Sequence, residues 1–428
     1  MSEVTRRELA AGAFGLALLT PVAGCAAGVD RIRLGFIGLG NRGAQLLSAA
    51  LKQTDVEIVG LCDVYEPYID RARTTIGREV PAWNDYRRLL EVKGMEAVVV
   101  ASPDHWHALQ TVDACDAGKD VYVEKPLSRT IYEGRRMVEA ARRNKRIVQV
   151  GLQRRSSPMY RELGQLVRGG EIGKVTLAQC HRINNMWPDG IGRSRAAAVP
   201  QGLDWDLWLG PRASRPFQPN IAPYKFRWWQ AYSSQVANWG VHYFDALRWI
   251  LDETAPVSVT AHGGRFAVED DRSIPDTMEV IFEFASGRLL TFGQYEASGL
   301  PALRAGEVEL RGTLGVIYAG SGGYDVVADQ GGQFQTWKPR IRSRTERRTD
   351  PDLDAAHMRN FLDCVRSRAK PNCDVEEGHH STVFAHLANI SLATRSRLEW
   401  DSERETVRGN KAANRLLHYR YRAPWKLR

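Results

Sequence analysis

The sequence predicts an α/β protein in two parts. A doubly wound parallel sheet comes first, followed by an α+β domain on a largely antiparallel open sheet. Three observations carry this. The stretch Arg31–Gly43, RIRLGFIGLGNRG, runs from an apolar segment straight into three spaced glycines. Apolar strand-like runs then alternate with amphipathic helix-like runs to about Leu152, the pattern of parallel strands joined by crossover helices. Beyond that point strand-like runs follow one another across short turns, as in hairpins and meanders.

Taken in order, Ile32, Leu34, Phe36 and Ile37 form a first strand, and AQLLSAALKQ forms a helix just past Gly38-Leu39-Gly40-Asn41-Arg42-Gly43. Strand, glycine turn and helix is the setting in which G-x-G-x-x-G denotes a dinucleotide cradle. Gly38 allows the tight turn, Gly40 lets a pyrophosphate approach the backbone, and Gly43 lets the helix pack close to the strand. The free N–H groups along Leu39–Gly43 then face the phosphates. The next strand, VEIVGLCDV, places Asp63 about 20 residues past the turn, where a carboxylate meets a ribose 2′-hydroxyl. A carboxylate there repels a 2′-phosphate, so NAD is expected in preference to NADP. Arg42, an arginine in the same loop, argues the other way.

Helix Glu66–Ile76 and the stretch Tyr86–Val92 lead to the strand MEAVVVAS, which ends in Ser102-Pro103-Asp104-His105-Trp106-His107. Helix ALQTVDACDAG, strand KDVYVEKP, helix Tyr132–Asn144 and strand RIVQVGLQRR complete a Rossmann dinucleotide-binding domain over residues 31–152. Residues 153–428 are expected to form the substrate-binding and oligomerisation α+β domain. Its strands are VTLAQCHRI, VSVTAHGGRF, TMEVIFEFA, GRLLTFGQYEA, AGEVELRGT and LGVIYAG. Between the first two lies a long insertion, Met186–Leu251, with Trp187, Trp205, Trp208, Trp228, Trp229, Trp239 and Trp249. Most of these indoles belong to a core, while one or two at a cleft would stack on a sugar ring. The amphipathic segments HMRNFLDCVRSR and Gly378–Ala393 are expected to pack back on the body.

Composition excludes several classes. The 428 residues carry a net charge of +9, with basic clusters at Arg340–Arg348 and RYRAPWKLR. Acidic residues are interspersed and no recognition motif occurs, so a nucleic-acid partner is not expected. Cys62, Cys115, Cys180, Cys364 and Cys373 show no CxxC spacing, against a disulfide scaffold or a zinc site; no metal is expected. Thr5-Arg6-Arg7-Glu8-Leu9, the short apolar run Ala10–Leu19 and Val22-Ala23-Gly24-Cys25 read as an export signal in residues 1–30. The paired arginines point to the twin-arginine route, and the ending resembles a lipobox. A periplasmic protein attached to a membrane through a lipid on Cys25 is therefore expected.

In open α/β sheets ligands sit beyond the carboxyl ends of the strands. Ser102, Pro103 and His107, then Glu124 and Lys125, then Gln153 lie at three such ends and are the cofactor candidates. Lys125 is also a catalytic candidate, because a lysine there can hydrogen-bond a substrate hydroxyl and stabilise the alkoxide as hydride leaves. Desolvation and a cationic nicotinamide ring would lower its pKa. Arg154, Trp228, Asn238 and His242 join Lys125 as substrate candidates. In QVANWGVHYFD, a helix would put Asn238, His242 and Asp245 on one face, with His242 exchanging the proton.

The combination of GFIGLGNRG, SPDHWHA, VYVEKPLS, GLQRRS, LDWDLWLGP, NWGVHYFD and RAPWKL resembles the glucose–fructose oxidoreductase / inositol dehydrogenase / rhizopine-catabolism (Gfo/Idh/MocA) family. The resemblance implies a catalytic group at Lys125, His242 and Asn238, a nicotinamide cofactor, a sugar or polyol substrate, and a dimer or tetramer. It also places Asn238 where the family has an aspartate. Asparagine can accept the imidazole N–H but supplies no charge, so a lower His242 pKa is expected, with Asp245 as a possible substitute anion. With an export signal, a tightly held NAD recycled in the site follows. Two other readings stay open: a glycoside hydrolase or lyase using transient oxidation without net redox change, and a catalytically idle sugar-binding sensor.

Overall fold

Parallel β-branched strands form the first sheet of the computed structural model, which describes residues 31–300 and 307–428. They are β1 (Ile32–Ile37), β2 (Val56–Cys62), β3 (Ala82–Trp83), β4 (Ala97–Val100), β5 (Asp120–Val123) and β6 (Val148–Val150). Their order is β3-β2-β1-β4-β5-β6, with every neighbouring pair parallel. AVVV of β4 and DVYV of β5 are buried throughout, because helices cover both faces of a parallel sheet. The order reverses between β1 and β4, so a crevice opens at their carboxyl ends. This is a Rossmann sheet. The crossover helices are α1 (Asn41–Leu51), α2 (Glu66–Ile76), α3 (Tyr86–Leu90), α4 (His107–Asp116) and α5 (Ile131–Arg143).

Later helices are α6 (Pro158–Arg168), α7 (Trp205–Leu209), α8 (Val241–Leu251), α9 (Leu353–Ser367) and α10 (Val375–Thr394). Helix α9 returns to the first sheet. Met358, Phe361 and Leu362 are fully buried in the cluster that contains Ile32, Leu34 and Phe36. Each such side chain contributes about 1.5–3 kcal/mol by leaving water. Contacts of this kind make residues 31–428 one compact unit.

The second sheet has ten strands: β7 (Val175–Ile183), β8 (Ser258–Gly264), β9 (Thr277–Glu283), β10 (Leu289–Tyr295), β11 (Val308–Gly312), β12 (Gly315–Gly320), β13 (Gly323–Ala328), β14 (Arg344–Arg347), β15 (Leu398–Asp401) and β16 (Thr406–Val407). The order is β14-β13-β12-β11-β7-β10-β9-β8-β15-β16. Only the β7–β10 pair at its centre is parallel; the other pairs are antiparallel. One face packs on α8 and α10, where Phe244, Phe282, Phe292 and Phe384 meet edge-on or tilted. Alternation along β9 leaves Ile281 outward and 47% exposed.

Two sequence expectations are refined here. The basic stretch Arg340–Arg348 contains strand β14, whose Arg344 and Arg347 pair with Glu171 and Asp325. Strands β15 and β16, with no hairpin signal of their own, extend the opposite edge of the sheet. All cysteines among the described residues are free and buried. Among those residues, no helix is long and apolar enough to cross a membrane. The export segment and Cys25 lie outside the described residues.

Candidate active site

The glycine turn has the shape its sequence implies. Gly38 adopts φ +86, and a Cβ there would lie 2.4 Å from the Ser102 nitrogen. A Cβ on Gly43 would lie 2.0 Å from the Gly38 carbonyl oxygen, so Gly43 sits where α1 presses on the turn rather than on the cavity. Gly40 differs from both. Its nearest neighbour would be a Tyr68 ring carbon at 3.5 Å, and it lines an open cavity of about 420 Å³. Protein packing does not demand glycine at position 40, whereas a phosphate lying on the backbone would. Helix α1 starts here with no side-chain cap and no acid in its first turn, leaving N–H groups of Asn41 and Arg42 at the cavity edge for an anion. These residues fit a dinucleotide.

Asp63 also lines the cavity and accepts N–H bonds from Leu39 (2.6 Å) and Tyr65 (3.0 Å). The Leu39 amide, one of the cofactor candidates, is therefore already bound to Asp63. Burial pushes the Asp63 carboxyl up to about 6, against the pull of these amides. Arg42 is tied down: it donates to Glu124 at 2.7 Å and to both oxygens of Asp354 at 2.7 and 2.8 Å. Its guanidinium joins the β5 end to α9 and is not extended toward a ribose phosphate.

Lys125, just after β5, lines the same cavity. Its Nζ donates to the Asn238 backbone oxygen at 3.0 Å and to Asn238 Oδ1 at 2.9 Å. Desolvation lowers its pKa to about 8, with Arg227 adding to the shift while Glu124 and Asp104 oppose it. Asn238 stands in a π-helical turn, Val236–Gly240, that runs into α8. His242, in the first turn of α8, lines the same cavity with Lys125 and Asn238. Burial, then the Lys125 charge, drive its pKa well below the usual imidazole value, and its buried Nδ1 has no hydrogen-bond partner. The site thus holds a neutral imidazole able to accept a proton, beside an amine able to donate to an oxygen.

Several sequence expectations change. Asn238 bonds Lys125 rather than the imidazole of His242. Asp245 does not reach the site: it is buried, accepting from Arg155 Nε at 2.9 Å and Ser381 Oγ at 2.7 Å. The π turn breaks the spacing assumed for one continuous helical face. His107 is buried with both ring nitrogens occupied, by the carbonyls of Pro126 and Ser102, so it braces the strand ends. Arg154 pairs with Glu307, Trp228 donates its indole N–H to Glu296, and neither they nor Gln153 line the cavity. Gly38, Gly40, Asn41, Arg42, Asp63, Ser102, Pro103, Glu124, Lys125, Asn238 and His242 do.

Sequence reasoning missed other wall residues. Trp239, Tyr224, Phe226 and Arg227 come from the insertion and also line the cavity. Arg227 lies 4.5 Å from the ring centres of Tyr224 and Phe226. The aromatic density of the insertion pointed to this region but not to which indole reaches the cavity. Trp208 lines the cavity as well, and with Phe226 and Trp229 it belongs to a buried cluster that includes Phe217, Ile221 and Tyr232.

Comparison with known proteins matches both parts of the fold. The description "Oxidoreductase family, NAD-binding Rossmann fold" matches residues 32–152, and its partner, "Oxidoreductase family, C-terminal alpha/beta domain", matches 163–290 and 326–427. Inositol 2-dehydrogenase of Salmonella typhimurium is 32% identical over 155 residues, 36% of this chain and 46% of that protein. Glycosyl hydrolase family 109 protein 1 of Shewanella sp. (strain MR-4) is 34% identical over 126 residues, 28% of each chain. The chain spans about half or less of the length of these relatives. Scyllo-inositol dehydrogenase from Lactobacillus casei, solved with NAD(H) and scyllo-inositol, shares the fold with TM-score 0.61 at 18% identity, over 86% of this chain and 99% of that one. With both halves of its length matched, the chain belongs to the Gfo/Idh/MocA oxidoreductase family.

Proposed function

We propose that the protein oxidises or reduces a hydroxyl-bearing carbon of a sugar, sugar derivative or polyol with NAD. The observation that carries this reading is that Lys125, Asn238 and His242 line one cavity with Gly38 and Gly40, Lys125 bonded to Asn238. The bound nicotinamide supplies the hydride acceptor or donor. The protein's part is to hold a substrate hydroxyl between Lys125 and His242. The neutral imidazole takes the hydroxyl proton, and the Lys125 ammonium hydrogen-bonds the oxygen as negative charge develops on it. Trp239, Tyr224 and Phe226 offer apolar faces of the kind that pack on sugar C–H groups.

NAD over NADP is supported by Asp63 at the cavity wall and by the engagement of Arg42 with Glu124 and Asp354. The export signal read in residues 5–25 supports a lipid-attached periplasmic enzyme that carries its cofactor with it. Denaturing the purified protein and identifying the released nucleotide by mass spectrometry tests this. One NAD(H) per chain is expected; protein that is empty and fails to bind added NAD overturns the reading.

A second reading rests on the similarity to the Shewanella protein named a glycosyl hydrolase. The same lysine and histidine would then serve a transient oxidation that eases cleavage of a glycoside. Products separate the two. A ketosugar or lactone supports net redox, and a cleaved glycoside with unchanged cofactor supports the second.

A further inference from the structure

Behind Asn238 lies a chain of buried polar side chains that reaches well away from the cavity. Asn238 Nδ2 donates to Gln235 Oε1 at 3.3 Å, and Gln235 Nε2 donates to Glu296 Oε1 at 2.8 Å. Glu296 also accepts from Arg272 Nη1 at 2.5 Å and from Trp228 Nε1 at 3.1 Å. Arg272 is held in turn by Asp270. Gln235, Glu296, Arg272 and Asp270 are all buried.

The chemistry of these groups gives the chain a direction. A carboxylate only accepts, whereas a side-chain amide has one accepting and one donating end. Every contact to Glu296 is a donor, so Gln235 must turn its NH₂ toward Glu296 and its carbonyl toward Asn238. Asn238 must then turn its NH₂ toward Gln235 and its carbonyl toward Lys125, which can only donate while charged. We propose that Gln235 and Glu296 are positioning residues for Lys125: the fixed acceptor at Glu296 sets the orientation of two successive amides, so that Lys125 always meets an oxygen. The proposal rests on Lys125 handling the substrate oxygen, as argued above.

It also gives a physical reason for asparagine where the family has aspartate. An aspartate at 238 would face the Gln235 carbonyl across the present 3.3 Å contact, oxygen against oxygen. Asn238, Gln235 and Glu296 therefore work as a matched set.

The test reads the titration of Lys125 directly, from the pH dependence of its acetylation by acetic anhydride in the full chain, followed by peptide mass spectrometry. The charged groups around Lys125 are Glu124, Asp104, Arg227 and Arg42, with His242 across the site, and all stay constant in the comparison. Gln235→Met frees Asn238 to turn its NH₂ toward the ammonium. The titration midpoint should then fall by about one pH unit, the scale of a lost hydrogen bond to a charged group. In an Asn238→Asp background, whose carboxylate accepts on either oxygen, Gln235→Met should produce no such fall. No fall with Asn238 present, or the same fall in both backgrounds, overturns the proposal. If Gln235→Met does not fold, Glu296→Gln keeps the shape of the network and lets its anchor donate as well as accept. It also deletes one charge in both backgrounds, so the fall should be larger with Asn238 than with Asn238→Asp, and equal falls overturn the proposal. The labelling needs neither cofactor nor substrate, so its outcome is separate from whether the protein oxidises sugars.

Discussion

Lys125 and Asp63 are the residues whose environments most constrain the chemistry. Burial sets the Lys125 amine near 8 and holds His242 neutral. If the ammonium stabilises the oxygen while the imidazole takes the proton, kcat/KM for hydroxyl oxidation falls as pH rises through about 8. Lys125→Arg, which does not titrate in that range, should abolish the limb and lower kcat by about 10²–10⁴-fold, as read from pH–rate profiles. Asp63 is ionised above about 6 and neutral below it. Ribose hydroxyls donate to the ionised form, so NAD affinity should weaken as pH falls through that value, measured by fluorescence titration of the nucleotide. The same raised pKa makes the carboxylate form unfavourable in the cofactor-free fold at neutral pH, since folding favours the proton that the unfolded chain has lost. Asp63→Asn removes that charge but turns an NH₂ against one of the two amides, Leu39 or Tyr65, from which the carboxylate accepts. Its expected effect is a rise in NADP affinity relative to NAD, read from the two binding titrations. Lys125 was legible in the sequence because EKP sits at a strand end. The partner of Asn238 was not, because the sequence shows which residues are near the histidine but not which way an amide faces.

At the level of elements, the β1–α1 turn separates folding from binding. Gly38→Ala puts a Cβ into the Ser102 backbone at a positive φ, a change costing more than about 1 kcal/mol, and should lower the melting temperature. Gly40→Ala meets only open space and the edge of Tyr68. It should melt like the parent yet bind NAD(H) at least about tenfold more weakly, by the geometry of phosphate approach. A calorimetric titration beside a melting curve distinguishes the two substitutions. The turn was readable because glycine spacing, strand and helix are all local signals. The π turn before α8 was not, since residues 236–240 carry no residue type that announces the wider turn.

For the whole molecule, the alternation of strands and helices made the first sheet legible, and the succession of strands made the second legible as mostly antiparallel. The parallel β7–β10 pair was not, because register across the long insertion depends on tertiary packing rather than local pattern. Nor was it evident that α9 would cover the Rossmann sheet, although its apolar stripe was plain. Phe361 is fully buried there, so Phe361→Ala should destabilise the protein by about 3–5 kcal/mol in a denaturant melt. Because α9 also supplies Asp354 to Arg42, a helix that lies in the chain between β14 and β15 of the second sheet helps set the cavity wall that the first sheet begins.

The most direct test of the account is a single-turnover reaction of NAD-loaded protein with a panel of inositols and sugars, following nicotinamide absorbance. The account predicts that at least one polyol or sugar reduces the bound cofactor in the parent protein and that Lys125→Met, folded and loaded to the same extent, does not respond. Cofactor reduction that proceeds equally well in Lys125→Met would contradict it, as would a loaded parent protein that no member of the panel reduces.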